Sequence, residues 1–312
     1  MRQTVATLVF SHDDCLGHVT PDGHPERVER LLAVERGLVG LDVVRREAPM
    51  ADDADVLLCH PARYLARVRA AVPGAGFVQM DGDTYLSPGS LDAALRAVGG
   101  VCAGVDAVIA GEARNAFVAC RPPGHHAERE TAMGFCLFDT AAIAAKRALE
   151  VHGLARVAVV DFDVHHGNGT QDLLWDEARC LFISSHQMPL YPGSGAPGEN
   201  GAHGQIVNIP LAAGSGGTQM RAVYEALVFP RLAEFAPELI LVSAGFDAHR
   251  DDPLGGLRWT ADDFAWLTAR ICDVAEASAK GRVVSTLEGG YDLGALEDCV
   301  SAHVGILAER GR

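Results

Sequence analysis

The sequence of 312 residues predicts an α/β fold, in which residues 1–312 form one domain around a mostly parallel central sheet with helices on both faces. Strand-like and helix-like stretches alternate from end to end, which is typical of parallel sheets. No low-complexity linker, internal repeat or shift in composition divides the chain. Ligands of such sheets bind beyond the carboxyl ends of the strands, so we expect an active site there.

The elements follow one another in a regular order along the chain. Six segments have helical patterns, namely residues 25–38, 91–110, 140–150, 218–234, 260–279 and 293–308. Five short apolar or β-branched runs predict strands, namely residues 115–120, 157–162, 180–184, 239–243 and 282–287. A helix separates most of these runs from the next, as the crossover between parallel strands requires.

Charge and hydropathy exclude some classes of function. The formal net charge of -15 argues against nonspecific nucleic-acid binding, which depends on clustered Lys and Arg. The acidic surface is compatible with steering of cationic substrates, although solubility alone also explains it. We find no stretch that is apolar and uncharged for long enough to span a bilayer. The amino-terminal residues do not have the pattern of a signal peptide, so we expect a cytoplasmic protein with no membrane partner.

The eight cysteines form no CxxC pair, and several of them stand inside apolar runs. This pattern favours buried, reduced thiols over disulfides or a thiolate zinc site.

Each of the five predicted strands leads into a polar segment. These segments are residues 121–126, 161–166, 185–186, 244–247 and 288–291. Charged groups at the end of a buried strand cost desolvation energy unless they are paired or bind a metal. Because the carboxyl ends of parallel strands meet at one edge, we expect all five segments to face the same rim.

Asp163, His165 and Asp247 are the candidate metal ligands. Two carboxylates and one imidazole leave a coordination position free for water or substrate, which is typical of a catalytic site. The spacing of two residues predicts that Asp163 and His165 lie on the same side of an extended segment. Taken singly, Asp247 is equally compatible with a helix cap, and His165 with a hydrogen-bonded core histidine.

The adjacent His125 and His126 follow a Pro-Pro-Gly turn and suit proton transfer, because imidazole titrates near neutral pH. Asp161 and Asn168 are candidates for orienting these rings, and Asn168 is also compatible with a simple turn residue. Tyr291 follows two glycines and could donate a hydrogen bond to a developing oxyanion.

These residues are similar to those of the histone deacetylase superfamily, which also includes acetylpolyamine amidohydrolases and acetoin-utilisation proteins. The matching segments keep the order of that family and span nearly the whole chain. They are residues 24–27, 121–127, 134–136, 161–170, 191–195, 208–211, 244–247, 252–256 and 288–291. The Asn168-containing form resembles the class II and bacterial branch.

The resemblance implies an arginase/deacetylase fold, in which Asp163, His165 and Asp247 hold Zn²⁺, or Fe²⁺ as an alternative native metal. It implies that His126 acts as general base and then acid, that His125 is an electrostatic partner bonded to Asp161, and that Tyr291 polarises the substrate carbonyl. It also implies a structural K⁺ ion near Asp161, Ser184 and the backbone around Ser185.

The resemblance further suggests which residues contact the substrate. Gly134 and Phe135 match the tunnel that holds an acyl-lysine, and Tyr191 stands where the family commonly has phenylalanine. Leu254 occupies the position at which acetylpolyamine-selective members carry an acid. Arg27 matches an arginine near an internal product channel.

We therefore expect a zinc-dependent amidohydrolase that removes acyl groups from acylated amines, with acyl-lysine in peptides or proteins as the first choice. The main alternative is a deacetylase of acetylpolyamines or other small acetylated amines, to which Asp81 or Asp83 could offer a carboxylate at the rim. A solvated turn is the simpler interpretation of that loop. A binuclear manganese ureohydrolase and a nonhydrolytic acyl-lysine reader also remain. The sequence leaves the oligomeric state undecided.

Overall fold

The computed structural model describes residues 7–312 and is built around one eight-stranded sheet. The strands along the chain are β1 (Thr7–Ser11), β2 (Val43–Glu47), β3 (Val78–Gln79), β4 (Tyr85–Leu86), β5 (Asn115–Val118), β6 (Val157–Asp161), β7 (Cys180–Gln187), β8 (Ile206–Leu211), β9 (Leu239–Ala244) and β10 (Val283–Leu287). The sheet has the order β2-β1-β5-β10-β9-β6-β7-β8, and β3 and β4 form a separate antiparallel pair. All seven ladders of the large sheet are parallel, which confirms the predicted architecture.

Ten α-helices connect or follow the strands in the described part of the chain. They are α1 (Glu29–Gly37), α2 (Asp53–Val56), α3 (Ala62–Ala71), α4 (Ser90–Ala110), α5 (Thr140–Lys146), α6 (Asn168–Leu173), α7 (Gly217–Val223), α8 (Phe229–Phe235), α9 (Ala261–Ser278) and α10 (Leu293–Arg310). A π-helical turn, Arg147–Val151, extends α5, and a second, Tyr224–Val228, joins α7 to α8. The predicted helices at 140–150 and 218–234 are therefore present, but each contains a wider turn.

Helices cover both faces of the sheet, as the side chains of β5 demonstrate. A Cβ atom built at Gly104 of α4 would lie 3.6 Å from the Cβ of Ala116. The ring of Phe117, the next residue, lies 5.8 Å from that of His303 in α10. Because successive side chains of a strand point to opposite faces, α4 and α10 lie on opposite sides of the sheet.

Three strands of the large sheet, β1, β2 and β8, do not appear among the five predicted from apolar runs. The edge strand β2 is mostly exposed and carries Arg45, Arg46 and Glu47, so it has no apolar run to detect. The other edge strand, β8, contains Asn208 and Pro210, which are unfavourable in strands. Strand β1 is apolar, but it lies in the amino-terminal segment, where a short apolar run is also compatible with a leader peptide.

The expectation that no segment could span a bilayer needs correction for α4. By length and composition alone this helix could cross a membrane, with a mean hydropathy of 1.6 over its most apolar window, yet 72% of that window is buried within the protein. Its glycines permit close packing: a Cβ atom at Gly99 would lie 1.9 Å from the carbonyl oxygen of Pro49. Here α4 is a core helix, and its apolar surface is covered by the sheet and the neighbouring segments.

All eight cysteines are buried and free, which confirms the prediction of reduced thiols. Burial raises the pKa of Cys102 and of Cys180, so these thiols remain neutral and pack as small apolar side chains.

Candidate active site

The five strands predicted from apolar runs are the five adjacent strands at the centre of the sheet, in the order β5-β10-β9-β6-β7. Their carboxyl ends therefore open onto one short stretch of the rim. His125 and His126 follow β5, Tyr291 follows β10, and Asp247 follows β9. Asp161 is the last residue of β6, and residues 162–166 come directly after it. Four of the five predicted polar segments are thus brought together as expected for a parallel sheet. The fifth, residues 185–186, lies within β7, which continues to Gln187.

Asp163, His165 and Asp247 form a compact, buried group, whose ligand atoms all lie within 4.8 Å of one another. The Nδ1 atom of His165 is 3.1 Å from Asp163 Oδ1 and 3.2 Å from Asp247 Oδ2. Two hard carboxylate oxygens and one imidazole nitrogen fit a divalent ion such as Zn²⁺ or Fe²⁺. The residues present thus match the metal that the resemblance implies.

The backbone around Asp163 and His165 does not form the extended segment that their spacing predicts. Strand β6 ends at Asp161, and the chain bends beyond it instead of continuing extended. Asp163 Oδ1 accepts the main-chain N–H of His165 at 2.9 Å, and Asp161 Oδ1 accepts that of Asp163 at 3.1 Å. A pair of side-chain-to-backbone turns, not period-two alternation, therefore brings Asp163 and His165 together.

Glycines leave the space that the two carboxylates occupy. A Cβ atom at Gly245 would lie 2.0 Å from Asp163 Oδ2, and one at Gly289 would lie 2.0 Å from Asp247 Oδ2. The N–H of Gly289 also donates to Asp163 Oδ2 at 2.8 Å, while the N–H of Val164 donates to Asp247 Oδ1 at 2.8 Å. These donors compensate part of the cost of burying two acids side by side.

The imidazole and the carboxylates of this group shift one another's pKa. Burial opposes a charged ring at His165, but the hydrogen bonds that this ring donates to Asp163 and Asp247 raise its pKa to about 10. Burial and the neighbouring Asp163 charge raise the pKa of Asp247 to about 7. The two neighbouring carboxylates thus form a buried group that attracts positive charge.

His125 and His126 lie with their ring centroids 4.0 Å apart and have different partners. His125 Nδ1 is 2.9 Å from Asp161 Oδ2, and His126 Nδ1 is 2.7 Å from Asn168 Oδ1. Burial disfavours a charge on either ring, yet Asp161 raises the pKa of His125 well above its usual range. Burial and the charge of His125 lower the pKa of His126. The pair therefore holds one proton more firmly on His125 and leaves His126 neutral.

Glu288 is a buried residue of the predicted polar segment 288–291, and its contact with the turn before the histidine pair was not predicted. Its Oε2 atom accepts the N–H of Gly124 at 2.7 Å and that of His125 at 3.2 Å, which fixes the turn before the two rings. Its Oε1 atom is buried without a hydrogen-bond partner, and burial raises the pKa of this carboxyl to about 8. The sequence signal for this role is an acidic residue placed directly after an apolar strand.

The expected role of Arg27 near an internal channel is wrong, because Arg27 is exposed and lines a surface depression. Arg30, one helical turn later, is fully buried. Its guanidinium donates to the carbonyl oxygens of Gly290 and Glu288 and lies 4.8 Å from the centre of the Tyr291 ring. A basic residue at the start of α1, within an apolar helical face, was the signal that the sequence contained.

A pocket of about 240 Å³ leads from the surface to this group. Its lining combines one candidate metal ligand, one histidine of the pair and all four predicted substrate contacts. The residues are Asp83, His126, Gly134, Phe135, His165, Leu190, Tyr191, Leu254 and Tyr291. Leu190 was not predicted, and Asp83 lines the pocket although a solvated turn was the simpler expectation.

The two walls of the pocket are aromatic. The Phe135 ring lies 5.8 Å from that of Tyr291, and the Tyr191 ring is edge-on to His126 at 5.2 Å. Phe135 has a φ of 72°, a backbone conformation that residues other than glycine rarely adopt. Gly134 before it has a φ of 55°, and a Cβ atom there would lie 2.4 Å from His126 Cδ2. This tight turn brings the Phe135 wall against the histidine pair.

Ser184, the residue expected near potassium, pairs with Asp161 in the ladder between β6 and β7. Both residues are fully buried. The hydroxyl of Ser184 lies 3.0 Å from His186 Nδ1, so it already has one partner.

Comparisons with known proteins cover most of the chain. A family model described as the histone deacetylase domain matches residues 24–307. A histone deacetylase-like amidohydrolase of Pseudomonas aeruginosa is 42% identical over 279 residues, which cover 88% of this chain and 73% of the relative. A probable deacetylase of Archaeoglobus fulgidus is 40% identical over 298 residues, covering 93% of this chain and 82% of the relative.

Among solved structures, the crystal structure of the HDA15 HD domain matches with a TM-score of 0.93 and 32% sequence identity. The match covers 98% of this chain and 90% of the other. The family model matches well over half of the chain. The chain belongs to the histone deacetylase family.

Proposed function

We propose that this protein is a zinc-dependent amidohydrolase that removes acetyl or larger acyl groups from the side-chain amine of lysine in peptides or proteins, and that residues 1–312 act as one deacetylase domain. The observation that carries this proposal is the composition of one pocket. Its lining combines His165 of the metal group with His126 and Tyr291. A ligand, a base and an oxyanion donor around one cavity are the parts that amide hydrolysis requires.

Asp163, His165 and Asp247 would hold the metal. When bound, a Zn²⁺ ion at this group would act as a Lewis acid toward the amide carbonyl and the attacking water. Fe²⁺ accepts the same oxygen and nitrogen donors and is the alternative. The family match favours hydrolysis over a nonhydrolytic reader, and the described residues 7–312 contain a single three-ligand group, whereas a ureohydrolase of the binuclear type needs more carboxylates.

The chain's own residues then carry the proton transfers. His126 is neutral because burial and the charge of His125 lower its pKa, so its free nitrogen can take a proton from the attacking water. The phenol of Tyr291 would donate a hydrogen bond to the oxygen of the tetrahedral intermediate. A histidine of the pair must finally protonate the amine, because an unprotonated amine is a poor leaving group.

The walls of the pocket support an acyl-lysine substrate. Phe135 and Tyr191 are aromatic, while Leu190 and Leu254 are aliphatic. Such walls bind an alkyl chain and exclude bulk water from the reaction. Leu254 offers no charge to a second ammonium group, in contrast to the acid that acetylpolyamine-selective relatives carry there.

One observation favours the second candidate, a deacetylase of acetylated polyamines. Asp83 lines the pocket, and burial together with the neighbouring Asp81 raises its pKa. A carboxylate in this position can contact the distal ammonium of a polyamine. The chain's net charge of -15 would also attract such a cation.

The test compares kcat/KM for an acetyl-lysine peptide, N-acetylputrescine and acetylspermidine, using protein loaded with one equivalent of zinc. We expect the peptide to be the best substrate and Asp83→Asn to change its kcat/KM by less than about fivefold, the effect of about 1 kcal/mol. A preference for the acetylpolyamines that Asp83→Asn abolishes would favour the second candidate.

His126→Gln and Tyr291→Phe should each lower kcat. Binding of the peptide without any turnover would refute hydrolysis.

Metal analysis completes the test on protein that has been incubated with excess metal and then desalted. One metal ion per chain is the expected result, and two would favour a ureohydrolase. We further propose that a structural K⁺ ion binds near Asp161 and Ser184. Melting temperatures in KCl and in an equal concentration of tetramethylammonium chloride test this, since a specific site should stabilise the protein only in KCl.

A further inference from the structure

The amide of Asn168 connects His126 to a carboxylate that no step above uses. Asn168 Oδ1 lies 2.7 Å from His126 Nδ1, and Asn168 Nδ2 donates to Glu128 Oε1 at 2.9 Å. Glu128 is partly buried and forms no ion pair among residues 7–312. Its negative charge is therefore available to the amide.

We infer that Glu128 is a positioning residue, which fixes the orientation of the Asn168 amide and thereby selects the tautomer of His126. The inference rests on the proposed role of His126 as the base. It concerns a hydrogen-bonded chain of three side chains: a carboxylate, an amide and an imidazole.

The first step of the argument is that the amide has one satisfactory orientation. A side-chain amide can present either its oxygen or its NH₂ group to a neighbour, and the choice depends on the surrounding donors and acceptors. All three groups within reach of Asn168 Nδ2 are acceptors. They are the Glu128 carboxylate at 2.9 Å, the Met133 sulfur at 3.4 Å and the carbonyl oxygen of His126 at 3.5 Å.

Of these three acceptors, Glu128 favours the observed amide orientation most strongly. Its contact is the shortest, and a hydrogen bond to an ionised group is about twice as strong as one between neutral groups. The flipped amide would place Oδ1 against the carboxylate, two acceptors with no proton between them. Without Glu128, only a long carbonyl contact and a weak thioether acceptor would oppose the flip.

The second step is that the amide orientation selects the tautomer. With Oδ1 facing it, Nδ1 of His126 must carry the proton, and Nε2 remains free as an acceptor. His126 lines the pocket, so this nitrogen is the one that can receive a proton from a bound water. A flipped amide would donate to Nδ1 and move the proton of the neutral ring to Nε2, where it would block the base.

The third step concerns the strength of the charge that reaches the ring. His125 contacts Asp161 directly, and this carboxylate raises the pKa of His125. Glu128 acts on His126 only through a neutral amide, so it orients the ring without the same stabilisation of the imidazolium. The arrangement keeps the proton on Nδ1 of His126 and still leaves the ring neutral before the reaction.

The experiment uses Glu128→Gln, which keeps the size of the side chain but replaces an acceptor by a group that can also donate. Glu130→Gln is the matched control, because Glu130 is two residues away and pairs with the surface residue Arg63. Kinetics on the zinc-loaded enzyme are combined with ¹⁵N spectra of histidine-labelled protein, with and without zinc. His126→Gln identifies the signals of His126 among the 13 histidines.

We expect Glu128→Gln to lower kcat about tenfold or more with KM within twofold, and to produce an Nε2–H signal at His126. In an Asn168→Asp background the ring contacts a carboxylate directly, so the same change should alter kcat by less than about twofold. Glu130→Gln should leave both readouts unchanged.

An unchanged kcat in Glu128→Gln would overturn the inference, as would a lowered kcat without an Nε2–H signal. An equal loss in the parent and in the Asn168→Asp background would also overturn it, because the effect would then not pass through the amide. If His126→Gln kept full activity, the proposed base would be wrong, while the spectra would still decide whether Glu128 controls the tautomer.

Discussion

The carboxylate of Asp252 accepts a hydrogen bond from the main-chain N–H of Tyr291 at 2.6 Å, although the two residues belong to different loops at the rim of the sheet. Its other oxygen accepts the N–H of Leu254 at 2.9 Å. Tyr291 and Leu254 both line the pocket. One buried side chain that is not itself part of the lining therefore fixes two of the walls.

Replacing Asp252 should thus impair catalysis from outside the pocket. We expect Asp252→Ala to lower kcat/KM about 10- to 100-fold, because the loops of Tyr291 and Leu254 lose their common acceptor. Steady-state kinetics on an acetyl-lysine peptide measures this. Asp251→Asn is the control, because the neighbouring Asp251 side chain is 60% exposed. Equal activity of Asp252→Ala and Asp251→Asn would contradict the positioning role.

A methyl group at position 245 should destroy the metal site without destroying the fold. In Gly245→Ala the new Cβ atom would approach Asp163 Oδ2 to 2.0 Å and displace this carboxylate. We expect the purified variant to retain less than about a tenth of the zinc of the parent after reconstitution, the effect of losing a well-placed ligand. Elemental analysis and circular dichroism measure metal content and fold. Gly198→Ala, where nothing lies within 4 Å of the added atom, should bind zinc normally. Normal zinc content in Gly245→Ala would show that the site tolerates this crowding.

The buried His303 should make the protein sensitive to mild acid. Its Nδ1 lies 2.6 Å from Thr268 Oγ1 and its Nε2 lies 2.8 Å from Ser285 Oγ, while burial lowers its pKa from 6.5 to about 3. Between these values the unfolded chain binds the proton more tightly than the folded chain. The contribution of His303 to the free energy of unfolding is therefore fully present above about pH 6.5. It is lost as the pH falls toward 3.

We expect His303 to account for about 2 kcal/mol of the fall in the free energy of unfolding between pH 7 and pH 5. Urea unfolding at the two pH values measures this fall in the parent, in His303→Gln and in the control His203→Gln, whose side chain is exposed. The fall should be smaller by this amount in His303→Gln alone. The same pH dependence in all three proteins would show that His303 does not contribute.

Two substitutions of Tyr191 separate the contribution of its ring to kcat/KM from that of its hydroxyl group. Its ring is edge-on to His126 at an interplanar angle of 86°, and the residue is 38% exposed. Tyr191→Phe keeps the ring, so kcat/KM for an acetyl-lysine peptide should stay within about threefold of the parent. Tyr191→Ala removes the wall and should lower kcat/KM about tenfold, which corresponds to about 1.4 kcal/mol of lost apolar contact. A larger loss in Tyr191→Phe than in Tyr191→Ala would indicate a role for the phenol oxygen.

The sequence predicted the centre of this fold better than its edges, for a physical reason. Central strands of a parallel sheet are buried on both faces, so β5, β6, β7, β9 and β10 appear as continuous apolar runs. Edge strands have one exposed side and tolerate charge or proline, and for this reason β2 and β8 have no such signature. The missed strands carry none of the proposed ligands, so the prediction of the site did not depend on them.

Residues that act through their surroundings were the hardest to predict. Glu288, Asp252 and Arg30 hold other residues through contacts between distant parts of the chain, and Glu128 became visible only through its contact with Asn168. Arg27 and Arg30 are both basic residues near the start of α1, and only packing determines that Arg30 is the buried one. Spacing along the chain contains no information on such contacts.

The sequence by itself determined the type of sheet, the rim at which the polar residues gather and the donor types of the metal group. These properties follow from local patterns, because burial, strand ends and ligand chemistry are encoded residue by residue. The tertiary structure alone decided which atoms meet: the turn that joins Asp163 to His165, the space that Gly245 and Gly289 leave for two carboxylates, and the unequal partners of His125 and His126. Such distances depend on the packing of segments far apart in the chain, which no local pattern specifies.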